Sequence, residues 1–426
     1  MAPTDFRLAR ESGEERVLVD GKPFLPQLKI LVEGSKNPLE NDRIAPALTR
    51  MIVQLFQLSN LTPETSISSS LQVTPISGGI TNTLYKITGL HAAFPRHLSQ
   101  LPADDALLVR LFGAEGMIDR YIENATFAAL ADADIAPTYY GAFANGRCEG
   151  WLDNMQTPSC RDMVQWIPQI AHAAAVLHYS FTLPSSLQEY HSGAGLWKQL
   201  EEWYAQALSS TFQNDLDTER ARKLNLPQFR RELDWLRSDI IPPQAAVGFC
   251  HNDLLCANIM HDTTTRTTVR FIDFEYGGCN YKSFDIANHW NEYAGGPPHS
   301  PQTNYDWFPS VSQQRAFVQA YLDKAKEIIV ETNQTHLDNG NDEHATTRTR
   351  LPSVDELVQE IQGFVMVNHL YWGLWAVNQA ANEGCDEFDY MMYAINRLEQ
   401  YWVCRKDHDS DIEQSENPTS EHKLEG

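Results

Sequence analysis

The chain has 426 residues, 42% hydrophobic and 21% charged, which is enough apolar mass for two or three domains, or two lobes around a cleft, and excludes wholesale disorder. Acidic residues outnumber basic ones 56 to 33, a formal charge of −23. Such a polyanion repels nucleic acid and anionic membranes and favours cationic ligands. The most apolar stretch, residues 364–381, carries Asn368, His369 and Asn378 and reads as a buried or cleft-lining helix rather than a membrane span. Arg and Glu stand where a signal peptide needs an apolar core. Seven cysteines with no CxxC pair fit neither a disulfide framework nor a zinc site. A cytoplasmic setting without stable membrane insertion is expected.

In chain order, residues 1–40 form an N-terminal extension with a strand pair predicted near 17–19 and 29–32, and a helix is expected over 46–58. Strands follow at 71–76 and 84–87 around a Gly-containing turn, and 106–112 is a continuous apolar run suited to a central strand. The pattern then predicts a helix over 118–131 and a hairpin of 139–143 and 148–152 about Asn145-Gly146. Beyond it the periodicity becomes helical, over 161–179, 196–210, 226–239, 313–332, 354–381 and 386–406, with a β-rich island at 248–274. Residues 333–349 read as an insertion, and 405–426 as a disordered acidic tail. The expected class is α+β, with a β-rich N-lobe over 41–152 and a mostly helical C-lobe over 153–404.

The strongest chemical signal is HNDLLCAN, residues 251–258, followed by Asp273-Phe274-Glu275 at the end of a strand predicted over 269–273. Taken singly, each Asp or Asn here is a turn or cap residue. In this order, H-x-D-x-x-x-x-N and then D-F, the spacing is that of the catalytic and metal-binding loops of kinases. One carboxylate must accept a hydroxyl proton while an amide oxygen and a second carboxylate hold Mg²⁺ against ATP phosphates. Asp253 suits the base, Asn258 and Asp273 the metal, and His251 a role in shaping the loop. Upstream, Ser77, Gly78, Gly79, Ile80, Thr81 and Asn82 lie between two predicted strands, where a Gly-Gly turn presents backbone N–H groups to phosphate oxygens. Arg110 ends an apolar strand where a protein kinase carries its Lys. Glu123, on the next helix, is its expected ion-pair partner.

These residues resemble the choline/ethanolamine kinase family, and ethanolamine kinases in particular. The matching stretches are ISGGITNTLYKI (76–87), LLVRLFG (107–113), GFCHNDLLCANIM (248–260), residues 271–295 and YWGLWAVNQA (371–380). The resemblance implies a protein-kinase-like bilobal fold and transfer of the ATP γ-phosphate to an amino-alcohol hydroxyl. It implies formation of phosphoethanolamine, the first step of the CDP-ethanolamine route to phosphatidylethanolamine. Carried over, Asp253 is the base, Asn258 and Asp273 are metal ligands, Arg110 and Glu123 the phosphate-side pair, and Ser77 to Asn82 the nucleotide loop. A homodimer is compatible with the family.

The resemblance assigns Glu292, Trp372, Trp375 and Tyr393 to the amine pocket. A cation is held by ring faces, each worth about 0.5–2 kcal/mol, and by a carboxylate. Trp372 and Trp375, three apart, share a helix face, and Gly373 between them favours a pocket over plain core. Asp285 and Asn288 are expected to anchor the loop rather than touch substrate. Choline wants an aromatic box, whereas ethanolamine's ammonium brings three N–H donors and needs oxygen acceptors. The LLC after Asp253, the GGITN loop and NEYAGG resemble ethanolamine kinases. Ala257 departs from the Lys or Gly expected before Asn258, and residues 295–298 (GGPP) supply no aromatic for a choline cage. Choline, both amines, or another hydroxylated cation such as an aminoglycoside stand as alternatives, and a catalytically dead kinase-fold module as a remote one.

Overall fold

The computed structural model describes residues 17–19, 21–30, 41–59, 70–76, 82–113, 119–191, 193–295, 300–338, 350–386 and 388–416. The chain divides into two compact units, one of Met1–Gln156, Leu183–Tyr190 and Met260–Tyr276, the other of Thr157–Thr182, His191–Ile259 and Gly277–Gly426. Residues 260–276, placed with the helical C-lobe by the sequence reading, therefore group with the β-rich unit.

In the first unit β1 (Val17–Val19), β2 (Lys22–Leu25), β3 (Gln72–Ile76), β4 (Asn82–Thr88), β5 (Ala106–Phe112), β6 (Tyr139–Phe143) and β7 (Gly146–Gly150) form one sheet in the order β1-β2-β6-β7-β5-β4-β3. The β2–β6 pair is parallel and the others are antiparallel. The second strand of the N-terminal pair thus lies at 22–25; residues 29–30 are in no strand, and 31–32 lie outside the described residues. Helix α1 (Asn41–Leu55) presents Ile44, Leu48, Met51, Ile52 and Leu55 at helical spacing to a core with Ile87, Leu107, Val109 and Phe143. A short helix α2 (Leu90–Ala93) follows β4, and α3 (Arg120–Asp132) opens on Asp119, whose carboxylate accepts from the N–H groups of Tyr121 and Ile122. The β6–β7 turn needs its glycine, because a Cβ on Gly146 would lie 2.3 Å from the Arg110 carbonyl oxygen.

The second unit is mostly helical: α4 (Ile167–Ser180), α5 (Leu196–Ser209), α6 (Asp215–Leu224), α7 (Phe229–Trp235), α8 (Lys282–Glu292), α9 (Val311–Asp338), α10 (Val354–Asn382) and α11 (Tyr390–Glu416). A two-stranded antiparallel ribbon joins β8 (Val247–Cys250) to β9 (Gly278–Tyr281). Helix α10, started by a Ser353/Glu356 capping box, is buried nearly throughout from Phe364 to Ala380 and packs against α5, α8, α9 and α11. It holds the apolar stretch read as a buried helix, and among the described residues no helix is long and apolar enough to cross a membrane.

Four helical spans depart from expectation. α9 runs to Asp338, into the segment read as an insertion, and α11 continues to Glu416, well past the point where a disordered tail was expected. α6 was missed because its sequence, DLDTERARKL, has no apolar stripe, and its buried residue is Asp217. α8 was missed because it is buried on all sides while carrying Asp285, Asn288, His289, Asn291 and Glu292, so no period of 3.6 shows. The loop 77–81 and residues 296–299, 339–349 and 417–426 lie outside the described residues.

Candidate active site

The loop 251–258 belongs to the second unit and hangs on one face of α8. Asp285 and Asn288 are three apart and so lie side by side. The Asp285 carboxylate accepts from the backbone N–H of His251 (2.8 Å) and of Asn252 (2.7 Å), and the Asn288 side-chain oxygen accepts from that of Leu254 (2.6 Å). The intervening Asp253 N–H donates to His251 Nδ1 at 3.3 Å, so His251 shapes the loop as expected. Asn252 takes a left-handed backbone, φ 66°, and its side-chain oxygen accepts from Asn280, a conformation Asn tolerates well.

Asp285 is itself fixed from behind. His178 Nε2 lies 3.0 Å from it and His178 Nδ1 2.9 Å from the Tyr321 hydroxyl. Burial lowers the His178 pKa against the pull of Asp285, so the ring is neutral, donating from Nε2 and accepting from Tyr321 at Nδ1. Burial pushes the Asp285 carboxyl up, but His178 and the loop N–H groups outweigh it and hold its pKa below the ordinary value. His178 and Tyr321 come from α4 and α9, far from the motif in sequence, and no local signal marks them.

Asn258 closes the loop on Asp253. Its Nδ2 donates to the Asp253 backbone oxygen and to carboxylate Oδ2, both at 2.9 Å. With the amide nitrogen so used, Asn258 Oδ1 is the atom left to meet a cation.

The first unit holds Arg110, Glu123, Asn82 and Asp273. Arg110, buried in the middle of the sheet, does not pair with Glu123 as expected. Its Nε donates to Glu149 (3.0 Å) and its Nη1 to Asp273 (3.0 Å). Glu123 is bound instead by Arg147 (2.5 Å) and Arg120 (2.7 Å), and Arg147 Nε donates to Glu149 at 2.7 Å. The reason is register: Arg110 lies opposite Arg147, so the two guanidiniums need a carboxylate between them, and Glu149, two residues along β7 on the same face, supplies it. Burial opposes the charge on Arg110, but Asp273 and Glu149 more than offset it and raise its pKa; burial likewise opposes the charge on Glu149, which Arg147 and Arg110 hold below the carboxylate range.

The network continues from Arg120 to Glu275 (3.5 Å), which accepts from Asn82 Nδ2 at 3.3 Å. Burial, with the Asp273 charge next, pushes the Glu275 carboxyl up to about 7. Asp273 lies beyond the strand Val269–Phe271 with φ 64°, not on it, and its side chain is partly exposed. The alternation of Arg147 and Glu149 in a buried strand was the available signal for the part of this network that the sequence reading missed.

The residues assigned to the amine are in the second unit. Glu292, at the end of α8, accepts from Arg397 at 3.2 Å, and Arg397 also donates to the Asn368 side-chain oxygen at 2.5 Å. Burial raises the Glu292 carboxyl even beside this guanidinium. Tyr393 lies under Arg397, 5.7 Å from ring centroid to guanidinium. Trp372 and Trp375 meet edge to face at 5.3 Å, and the rings run on through Tyr390 and Phe388 to Tyr393. Arg397, Tyr390 and Phe388 were not foreseen. Gly373 has a packing role: a Cβ there would lie 2.6 Å from the Leu398 side chain of α11.

A family model described as choline/ethanolamine kinase matches residues 73–402. Relatives include a "Probable choline kinase 2" of Arabidopsis thaliana, 28% identical over 354 residues (79% of this chain, 87% of the relative). Ethanolamine kinase 2 of Homo sapiens is 28% identical over 308 residues (70% and 69%). Among solved structures, a Plasmodium vivax ethanolamine kinase matches with TM-score 0.66 and 24% identity, covering 88% of this chain and 92% of that one. A Cryptosporidium parvum choline kinase matches with TM-score 0.62 and 20% identity, covering 85% and 97%. These likenesses show the protein-kinase-like fold, β-rich in its N-terminal region and helical in its C-terminal region. With the family model spanning most of its length, the chain belongs to the choline/ethanolamine kinase family, a kinase that transfers phosphate to an alcohol.

Proposed function

We propose that the chain phosphorylates ethanolamine with Mg-ATP, giving phosphoethanolamine and ADP. The observation that carries the reading is the Asp253–Asn258 pair on a loop whose N–H groups from His251 to Leu254 are each engaged. That loop is held rigid enough to present one carboxylate to a hydroxyl. Asp253 takes the proton as the hydroxyl oxygen attacks the γ-phosphorus in line. In the first unit, Arg110 and the loop 77–82 serve the phosphate side, with Arg110 placed by Glu149 and, through Arg147, by Glu123. Asn258 Oδ1 in the second unit and the Asp273 carboxylate in the first are each the kind of hard oxygen donor that Mg²⁺ would take. When bound, the ion neutralises charge on the phosphates.

The ammonium is read by Glu292 and by the faces of Trp372, Trp375 and Tyr393. A primary ammonium needs acceptors, and Glu292 offers a carboxylate, whereas the aromatic chain also suits a quaternary head. Choline is therefore the second reading. An ADP-release assay with Mg-ATP, run side by side on ethanolamine and choline, separates them. Turnover at least tenfold in favour of ethanolamine is expected; equal or greater turnover of choline overturns the specificity.

A further inference from the structure

The sulfur atoms of Cys160 and Cys256 lie 2.9 Å apart. All seven cysteines are free thiols, and this is the one pair of them in hydrogen-bond contact among the described residues. The two come from distant parts of the second unit. Cys160 is partly exposed, on a turn held by Ser159, whose hydroxyl accepts from the Asp162 N–H and donates to its carboxylate. Cys256 is 3% exposed and opens the single 3₁₀ turn Cys256–Asn258, three residues after Asp253 and two before Asn258. No step of the proposed phosphoryl transfer uses either thiol.

We propose that Cys160 and Cys256 are a redox pair that closes to an intramolecular disulfide under peroxide and so disables the catalytic loop. The accessible Cys160, as its thiolate, attacks one oxygen of hydrogen peroxide, forming an S–O bond as the O–O bond breaks and hydroxide leaves. Cys256 then attacks the sulfenic sulfur. The S–S bond forms, the S–O bond breaks and water leaves with the Cys256 proton. The two thiols together lose two electrons and two protons, and the peroxide is reduced to two waters.

A disulfide requires the sulfurs to close from 2.9 Å to about 2.0 Å. About 1 Å of approach therefore separates the two thiols from the bonded distance. Its cost falls on the loop. The turn that carries Asn258 is tied at one end to Asp253 and at the other to the 160 segment. A displacement approaching 1 Å at a catalytic group costs up to about a hundredfold in rate. Dithiol reduction restores the starting geometry, so the loss is reversible.

The inference rests on the proposed roles of Asp253 and Asn258 for its effect on turnover, but formation of the bond is read without them. The reduced full chain, freed of reductant, is treated briefly with a small excess of hydrogen peroxide. Intact mass is expected to fall by two hydrogens, and peptide mapping to recover one peptide pair joined through Cys160 and Cys256. Amide exchange across residues 250–260 should differ between reduced and linked forms. ADP release should drop at least tenfold and recover with dithiothreitol. Cys160→Ser, or Cys160→Ala if the serine variant folds poorly, should keep its reduced-state rate and resist the same treatment. Oxidation at other cysteines with no 160–256 link, a linked protein exchanging or turning over like the reduced one, or a Cys160 variant inactivated as fast as the wild type each overturns the proposal. A reduced enzyme inactive on both amines counts against the proposed substrate instead, and leaves the mass and exchange results to judge the pair.

Discussion

Two regions of this kinase hold their working groups by different physics. In the β-rich unit, Arg110 is held by other charges: Glu149 is shared with Arg147, and Arg147 is shared with Glu123. In the helical unit, Asp253 is held by backbone N–H groups that converge on two acceptors of α8, Asp285 and Asn288. The first is a matter of charge balance in a buried setting, where every removal strands a partner. The second is a matter of acceptor count, where geometry matters more than formal charge. The proposed roles call for both, because a cation meant for phosphates must stay charged, while a base must stay in place.

The sharpest way to test the second region is Asp253→Asn. If the loop exists to present this carboxylate, turnover falls about 10²–10⁴-fold, while circular dichroism and nucleotide binding stay near wild type. Loss of the fold in that variant would make Asp253 structural and end the contrast.

Glu149→Gln probes the first region. It keeps the shape and deletes the charge, leaving two buried guanidiniums short of a carboxylate, at about 3–5 kcal/mol in urea denaturation. A cost under 1 kcal/mol would mean that charge balance is not what holds Arg110.

Acid exposes a difference in pH response. His178, His289 and His369 all lie in the helical unit and burial lowers the pKa of each, His289 to about 4. Asp285 pulls on His178 and His289 in the other direction, while Lys282 adds to the lowering at His178 and Arg397 at His369. The unfolded chain binds more protons than the native one, so stability is full above about pH 6.5 and is lost as the pH falls toward each native pKa. His289 alone accounts for roughly 3 kcal/mol of this loss. A thermal midpoint that stays flat from pH 7 to pH 5 would refute the assignment, and His289→Asn should flatten the slope.

Asp285→Asn is expected to be milder than Glu149→Gln, about 1–3 kcal/mol, because one acceptor oxygen survives. Its signature is a fall in kcat with little change in the ATP KM. A larger loss of stability here than at Glu149 would reverse the comparison. Gly373→Ala should cost a similar or smaller amount, about 1–3 kcal/mol from overpacking against Leu398, read as a lower melting midpoint. A change in amine KM with no change in melting would return Gly373 to the pocket.

What could be read beforehand depended on how local each feature is. Strand β5 was legible to the residue because all of it but Arg110 is apolar, and α10 because its burial shows as hydropathy. The helix α8 was invisible as a helix, since its buried residues are polar, yet Asp285 and Asn288 were legible as loop anchors from the motif. The Arg110–Glu123 pairing was misread for the opposite reason: the residues were right in kind, but the register of β5 on β7 put Arg147 and Glu149 between them.

The amino-acid sequence alone carried the resemblance to the family and the loop with Asp253 and Asn258, because those stretches are short and contiguous and their residue order is readable without a fold. Only the tertiary structure decided who holds them. His178 and Tyr321 behind Asp285, Glu149 beside Arg110, Arg397 on Glu292 and Cys160 against Cys256 all come from distant elements. Buried charges, carbonyls and thiols choose partners by proximity in the packed interior, and that proximity exists only once helices and strands are in register.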